Sequence, residues 1–184
     1  MPLARTMHAE RGALAKMNEE YEMAILGVLQ HPDARLSKTA RPVQEFDSAL
    51  QDLVMNMLET MYHHRAIGLS APQVNVRKQI MVVDLSDNQS EPLVMINPAI
   101  SAVGSDYSHF DEGCVSIPDF YVPVRRLCSI QVEARDEHGD PISISAEGWL
   151  AACIQHEMDH LNGQTLMDHA SAKQRSQYRR RACR

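Results

Sequence analysis

Two histidines and a glutamate stand together in His156-Glu157-Met158-Asp159-His160. On a helix, residues four apart lie one turn above each other on the same face. His156 and His160 can therefore offer two imidazole nitrogens to one metal ion. Glu157 projects about 100° further round, beside such an ion without being forced onto it. That suits a carboxylate that takes a proton from water at the metal and passes it to a leaving nitrogen. With nine histidines in the chain, the plain alternative is a helix carrying two surface histidines. The apolar stripe of Leu150, Cys153, Ile154, Met158 and Leu161 weighs against it, because it marks the helix as buried.

A catalytic zinc-like site usually has three protein ligands and one open position. The longer pattern HExxHxxGxxH is followed through Gly163, but its last place holds Leu166, and no glutamate follows Glu157. Asp168 and His169 remain, close behind the helix end. The better third ligand lies upstream, at Cys114 in Glu112-Gly113-Cys114-Val115-Ser116-Ile117-Pro118. A thiolate is a strong ligand for a soft or borderline ion, and the metal itself would keep it deprotonated. Gly113 permits a tight backbone approach before it. A cysteine is ordinarily an inert, small buried hydrophobe. That reading suits Cys128, in an alternating strand, and Cys153, as core or pocket lining; Cys183 lies in the tail. The four cysteines form no CxxC pair, and the chain begins without a signal-peptide pattern, so reduced thiols are expected.

Gly68-Leu69-Ser70-Ala71-Pro72-Gln73 is weaker on its own. It reads either as a helix-to-strand turn or as a loop that aims the Gln73 amide at a developing oxyanion.

These groups need elements to hold them. Asp47 or Ser48 can cap a helix, and Leu50, Leu53, Val54, Met57, Leu58 and Met61 recur at helical spacing over 48–64. A loop over Gly68–Gln73 follows. Gln79–Asp84 and Leu93–Asn97 read as strands, the second ended by Pro98. Leu127–Ala134 alternates, turns through Asp136–Asp140 and returns over Ile142–Ser145 as an antiparallel hairpin. From Trp149 the period becomes helical until Asn162-Gly163. The expectation is an α+β domain, with antiparallel sheets packed around a central HExxH helix, an N-terminal helix and a C-terminal helix. Residues 23–169 form its single catalytic unit. Residues 1–22 are polar and without a core pattern; they read as an appendage dispensable for the chemistry or as a short surface helix.

The 184 residues, 44% hydrophobic and 23% charged, suit one globular domain. A net charge of -6 argues against a whole-protein nucleic-acid binder, and no run is long enough to span a bilayer. A cytoplasmic location is the default expectation.

Three stretches together resemble the peptide deformylase family, which carries a GxGLAAPQ-like loop, an EGCLS-like segment and a QHExDHLxG helix in this order. Here they read Ala66-Ile67-Gly68-Leu69-Ser70-Ala71-Pro72-Gln73, Glu112-Gly113-Cys114-Val115-Ser116 and Gln155-His156-Glu157-Met158-Asp159-His160-Leu161-Asn162-Gly163. The spacing between the first two is that of the type without a large insertion. The resemblance implies metal ligation by Cys114, His156 and His160, with Glu157 as general acid/base. It implies that Gln73 and the backbone N–H of Val115 polarise the formyl oxygen. The substrate would be the N-formyl-methionyl end of a nascent peptide, and the products formate and a free amino terminus. Iron(II) would be the native metal, with zinc, nickel or cobalt able to substitute. Ile67, Gly68, Phe110, Gly113, Trp149, Ala152 and Cys153 would bind substrate, the apolar ones around the methionine side chain. Ala66, Ser70 and Val115 depart from the family pattern without removing a catalytic side chain, and Tyr121 stands where some members place an arginine.

The tail, residues 170–184, carries Lys173, Arg175, Arg179, Arg180, Arg181 and Arg184 with no acid after Asp168. By itself it reads as a solvated helix or frayed end; the resemblance adds a contact with ribosomal RNA through charge rather than base reading. Two other classes compete with the hydrolase. A metal-stabilised binding module would close its site with a fourth protein ligand. A metalloprotease lacks its downstream ligand here.

Overall fold

A computed structural model describes residues 24–182, without the side chains of 101–103 and 182. The expected N-terminal appendage, Cys183 and Arg184 lie outside the described residues.

Helix α1 spans Ser48–His63, and the Asp47 carboxylate caps it by accepting from the Leu50 N–H at 2.9 Å. Its stripe of Leu50, Val54, Met57, Leu58 and Met61 is buried. Each such side chain taken from water contributes roughly 1.5–3 kcal/mol. Short strand β1, Gly68–Ser70, follows, then a 3-10 turn over Ala71–Val74. The expected plain loop is thus a strand end and a tight turn. The backbone N–H of Ser70 and the Gln73 side chain hold each other there, at 2.8 Å.

Strands β2 (Ile80–Val83), β3 (Leu93–Val103), β6 (Ser129–Arg135) and β7 (Pro141–Glu147) join β1 in an antiparallel sheet of order β1-β2-β3-β6-β7. Strand β3 does not end at Pro98, as the sequence suggested. Its register with β6 shifts between Ile96 and Ala99, and Asn97 takes a positive φ of 53°. The irregularity accommodates a residue with no N–H to donate. The Asn97 amide meanwhile ties the strand to the backbone of Val43, at 2.7 and 2.9 Å.

The sheet is buried on two faces. Ile80 and Val82 pack with Ile96 against α1. Met81 and Val83 pack with Met95, Ile130 and Val132 against helix α2, Gly148–Leu161, which carries the HExxH residues. Gly163, at φ 75°, follows the helix end.

Besides β1, the sequence reading missed β4 (Tyr107–Cys114) and β5 (Ile117–Leu127), which form a separate hairpin. In β5, Phe120, Val122, Val124 and Arg126 alternate inward. Two of the hairpin's buried positions are charged, Glu112 and Arg126, and this hid its period. Helix α3, Leu166–His169, covers the hairpin with Leu166 and Met167. Helix α4, Ala172–Ala182, adds Tyr178, whose ring meets Phe120 at 5.1 Å. The architecture agrees with the expected α+β class, with α1 and α4 as the N- and C-terminal helices.

Candidate metal centre

Two elements supply the donors. Cys114 ends β4, where the pairing register with β5 breaks between Gly113 and Cys114. His156 and His160 sit one turn apart on the buried side of α2, ring centroids 5.1 Å apart. One donor atom from each of the three lies within 4.8 Å of the other two. The Cys114 Sγ is 3.3 Å from His160 Nε2. The late candidates do not join them. Asp168 accepts from the Thr165 N–H at 2.7 Å in a capping box, and His169 faces Asp159.

One thiol and two imidazoles meeting at a point is a donor set for a borderline-soft divalent ion. Three protein donors with one side turned to a cavity is the arrangement of a catalytic rather than a closed structural site. Cys114 and His156 both line that cavity. The residues present therefore fit a metal.

The orientation of His156 comes from Glu112, two residues before Cys114. Its Nδ1 lies 2.8 Å from Glu112 Oε2, so Nδ1–H donates to the carboxylate and Nε2 is the nitrogen that could take a metal. Burial works to raise the Glu112 carboxyl. Arg126 overcomes this with a bidentate pair at 2.8 and 2.9 Å, and His156 adds to it, so the net shift is downward. Burial opposes charge on His156, yet Cys114 and Glu112 raise its proton affinity; burial and the nearby His156 lower that of His160. The adjacency of Glu112 to Cys114 was the available sequence clue. Nothing local pointed to Arg126.

Glu157 is 3% exposed, and its Oε2 has no hydrogen-bond partner among the described residues. Burial pushes its pKa up to about 7, against the pull of His156. A carboxyl near neutrality can both accept and return a proton. A cation beside it would favour the ionised form.

Gln73, 1% exposed, is held by its own turn. Its Oε1 accepts from the Ser70 N–H and hydroxyl, both at 2.8 Å. That leaves Nε2 pointing at the site, 3.3 Å from Ser116 Oγ and 3.5 Å from Cys114 Sγ.

The cavity holds about 380 Å³. Gln73, Cys114, His156 and Glu157 line it together, Arg65, Asp111 and Asp119 add charge, and Ile67, Trp149, Ala152 and Cys153 supply apolar wall. Burial, then the Glu157 charge, pushes the Cys153 thiol well up, so it is a neutral surface there. Gly68, Gly113 and Val115 line the same space. Phe110 does not line it; its ring stands edge-on against Trp149 at 5.0 Å. Tyr121, 70% exposed, leans over Gly113 at the mouth.

Residues 25–176 match the model of the polypeptide deformylase family. A peptide deformylase of Cellvibrio japonicus is 47% identical over 157 residues, covering 85% of this chain and 93% of that protein. One from Pseudomonas aeruginosa is 46% identical, covering 86% and 95%. Among solved structures, a peptide deformylase of Legionella pneumophila superposes with a TM-score of 0.82 at 42% identity, covering 85% of this chain and 92% of that one. A peptide deformylase of Synechococcus elongatus in complex with actinonin gives 0.81 at 40% identity, covering 85% and 87%.

Proposed function

The chain belongs to the peptide deformylase family, and from that premise we propose how its own residues carry the reaction. The protein is a metal-dependent hydrolase that removes the N-formyl group from the formyl-methionine of newly made peptides and releases formate. The observation that carries this reading is the convergence of Cys114, His156 and His160, with Glu157 and Gln73 beside Cys114 and His156 in the lining of one cavity that also has apolar wall.

Cys114, His156 and His160 would hold the metal, which when bound supplies a Lewis acid for water and carbonyl. Glu112 fixes the ring of His156 and thereby the direction of its free nitrogen. Glu157, buried and with one oxygen unpaired among the described residues, takes a proton from the attacking water and returns it to the leaving amine. The Gln73 amide, locked by Ser70, and the Val115 N–H donate to the oxygen on which charge develops. Ile67, Trp149, Ala152 and Cys153 surround the methionine side chain, and Gly68 and Gly113 let the peptide backbone approach. Phe110 acts on that pocket through Trp149.

We assign iron(II) as the native metal; zinc, nickel and cobalt suit the same thiolate–imidazole set. Helix α4, with Lys173, Arg175, Arg179, Arg180 and Arg181, is offered to ribosomal RNA by charge, at the place where formylated chains emerge. We infer a cytoplasmic location from work on new peptides. No described helix is long and apolar enough to cross a membrane.

The test pairs formate release from a formyl-methionyl peptide, run anaerobically with iron, with elemental analysis. Glu157→Gln should keep about one metal per chain and lose roughly two to four orders of magnitude in turnover. Cys114→Ala should lose metal and activity together. If Cys114→Ala keeps both, the ligand assignment is wrong.

A further inference from the structure

A line of paired side chains runs from the surface to a metal ligand. His169 Nε2 lies 2.8 Å from Asp159 Oδ2. The same Asp159 oxygen takes the Arg126 Nη1 at 2.8 Å. Arg126 grips Glu112 with Nε and Nη2, and Glu112 holds His156 Nδ1. Side-chain exposure falls inward along this line: 30% at His169, 19% at Asp159, 6% at Arg126 and 5% at Glu112.

The line also joins three separate elements. His169 belongs to α3, Asp159 to α2 beside His160, and Glu112 and Arg126 to the β4–β5 hairpin beside Cys114. The ligands come from two of those elements, so their separation depends on how α2 is seated against the hairpin. Arg126 spans that seam, and Asp159 is its anchor on the helix side.

We propose that His169 is a positioning residue for the metal ligands, acting through Asp159 and Arg126; this rests on the Cys114–His156–His160 assignment. By donating to Asp159, His169 fixes the carboxylate that Arg126 needs. Without it, Asp159 is free to rotate toward solvent. Arg126 then loses its hold on α2, and the seam between Cys114 and the two histidines loosens. A charged network with one partner missing is held much less tightly than the full set.

Cobalt(II) titrated into the metal-free full-length chain tests this, read by chelator competition and by the visible bands of the bound ion. Changing partners of ligating residues typically costs 10–100-fold in metal affinity. For a residue this far out, His169→Ala should weaken cobalt binding about tenfold and shift the bands. His169→Gln, which restores an amide donor near the Nε2 position, should recover most of both. The proposal is overturned if His169→Ala matches the parent in affinity and spectrum, or if Ala and Gln weaken binding equally, as a packing role would. Cobalt content of the parent tests the ligand assignment separately: a parent that binds none fails that assignment, whatever His169 does.

Discussion

Gly68 and Glu157 occupy adjoining space: a Cβ on Gly68 would stand 2.6 Å from Glu157 Oε1 and 2.8 Å from the Cys153 sulfur. The β1 backbone therefore forms one wall of the slot in which the carboxylate sits. Gly68→Ala must displace the end of Glu157, which is buried and has little room to move. Displacement of a reacting group by about 1 Å can cost roughly 100-fold. We expect Gly68→Ala to bind metal like the parent and to turn over formyl-methionyl peptide about 100-fold more slowly. Unchanged turnover would show that Glu157 tolerates the shift and does no directional work.

Gln73→Leu should fold and hold metal but lose turnover. One oxyanion donor is worth on the order of 3 kcal/mol in the barrier. Ser70→Ala removes only the hydroxyl; the Ser70 N–H still holds Gln73 Oε1. A single neutral hydrogen bond contributes about 1 kcal/mol, so roughly a fivefold loss is expected. Steady-state rates for the two variants side by side check the ranking, and a Ser70→Ala defect as deep as that of Gln73→Leu contradicts it.

A chain beginning at Met23 should keep most of its activity, because residues 1–22 carry no core pattern and no motif. A chain beginning at Pro32 should not. It would lose the Leu29 N–H bond to the Gln73 carbonyl at 2.7 Å and the His31 N–H bond to the Ser116 carbonyl at 2.8 Å. Those two bonds brace the segments holding Gln73 and Cys114. Melting midpoints and formate release on both truncations decide the matter; collapse of the first would place residues 1–22 within the folded unit.

Acid should remove a specific share of stability through Asp84. Burial would raise its carboxyl, but the Ser86 hydroxyl and N–H and the Tyr62 hydroxyl hold it below the ordinary 3.8. A lowered native pKa stabilises the fold fully above the unfolded value and loses that contribution as pH falls through the native one. Asp84→Asn should therefore lower the melting midpoint at pH 7. The gap from the parent should narrow as pH drops below about 4. A gap constant with pH would mean that the charge on Asp84 is not what stabilises it. Tyr62, raised to about 12 by burial and by Asp84, stays protonated throughout.

Much of the site was legible in the sequence because its parts are local. A period of 3.6 residues puts His156 and His160 on one face, and that holds on any helix. The run from Leu150 to Leu161 showed which face was buried. The alternation of 127–134 and 142–145 about a tight turn implied a hairpin, and the β6–β7 pairing from Ser129–Glu147 to Arg135–Pro141 is that hairpin.

Tertiary structure decided what spacing cannot carry. Pro98 argued for the end of a strand, but a bulge at Asn97 let β3 run on. The β4–β5 hairpin was hidden because Glu112 and Arg126 face inward, and binary patterning treats charge as exposure. Their burial makes sense only once the histidine that Glu112 orients, 44 residues away, is in place. Likewise nothing in the order of residues said that His169, nine positions after His160, would face Asp159 rather than Cys114 and the two histidines. The sequence by itself determined the chemistry on offer: two imidazoles and a carboxylate at fixed local spacings, and a thiol far upstream as the candidate to join them. Only the packing of α2 against a separate hairpin decided which thiol joins the imidazoles and which charges aim them, because donor distances across elements are set by the packed core and not by chain separation.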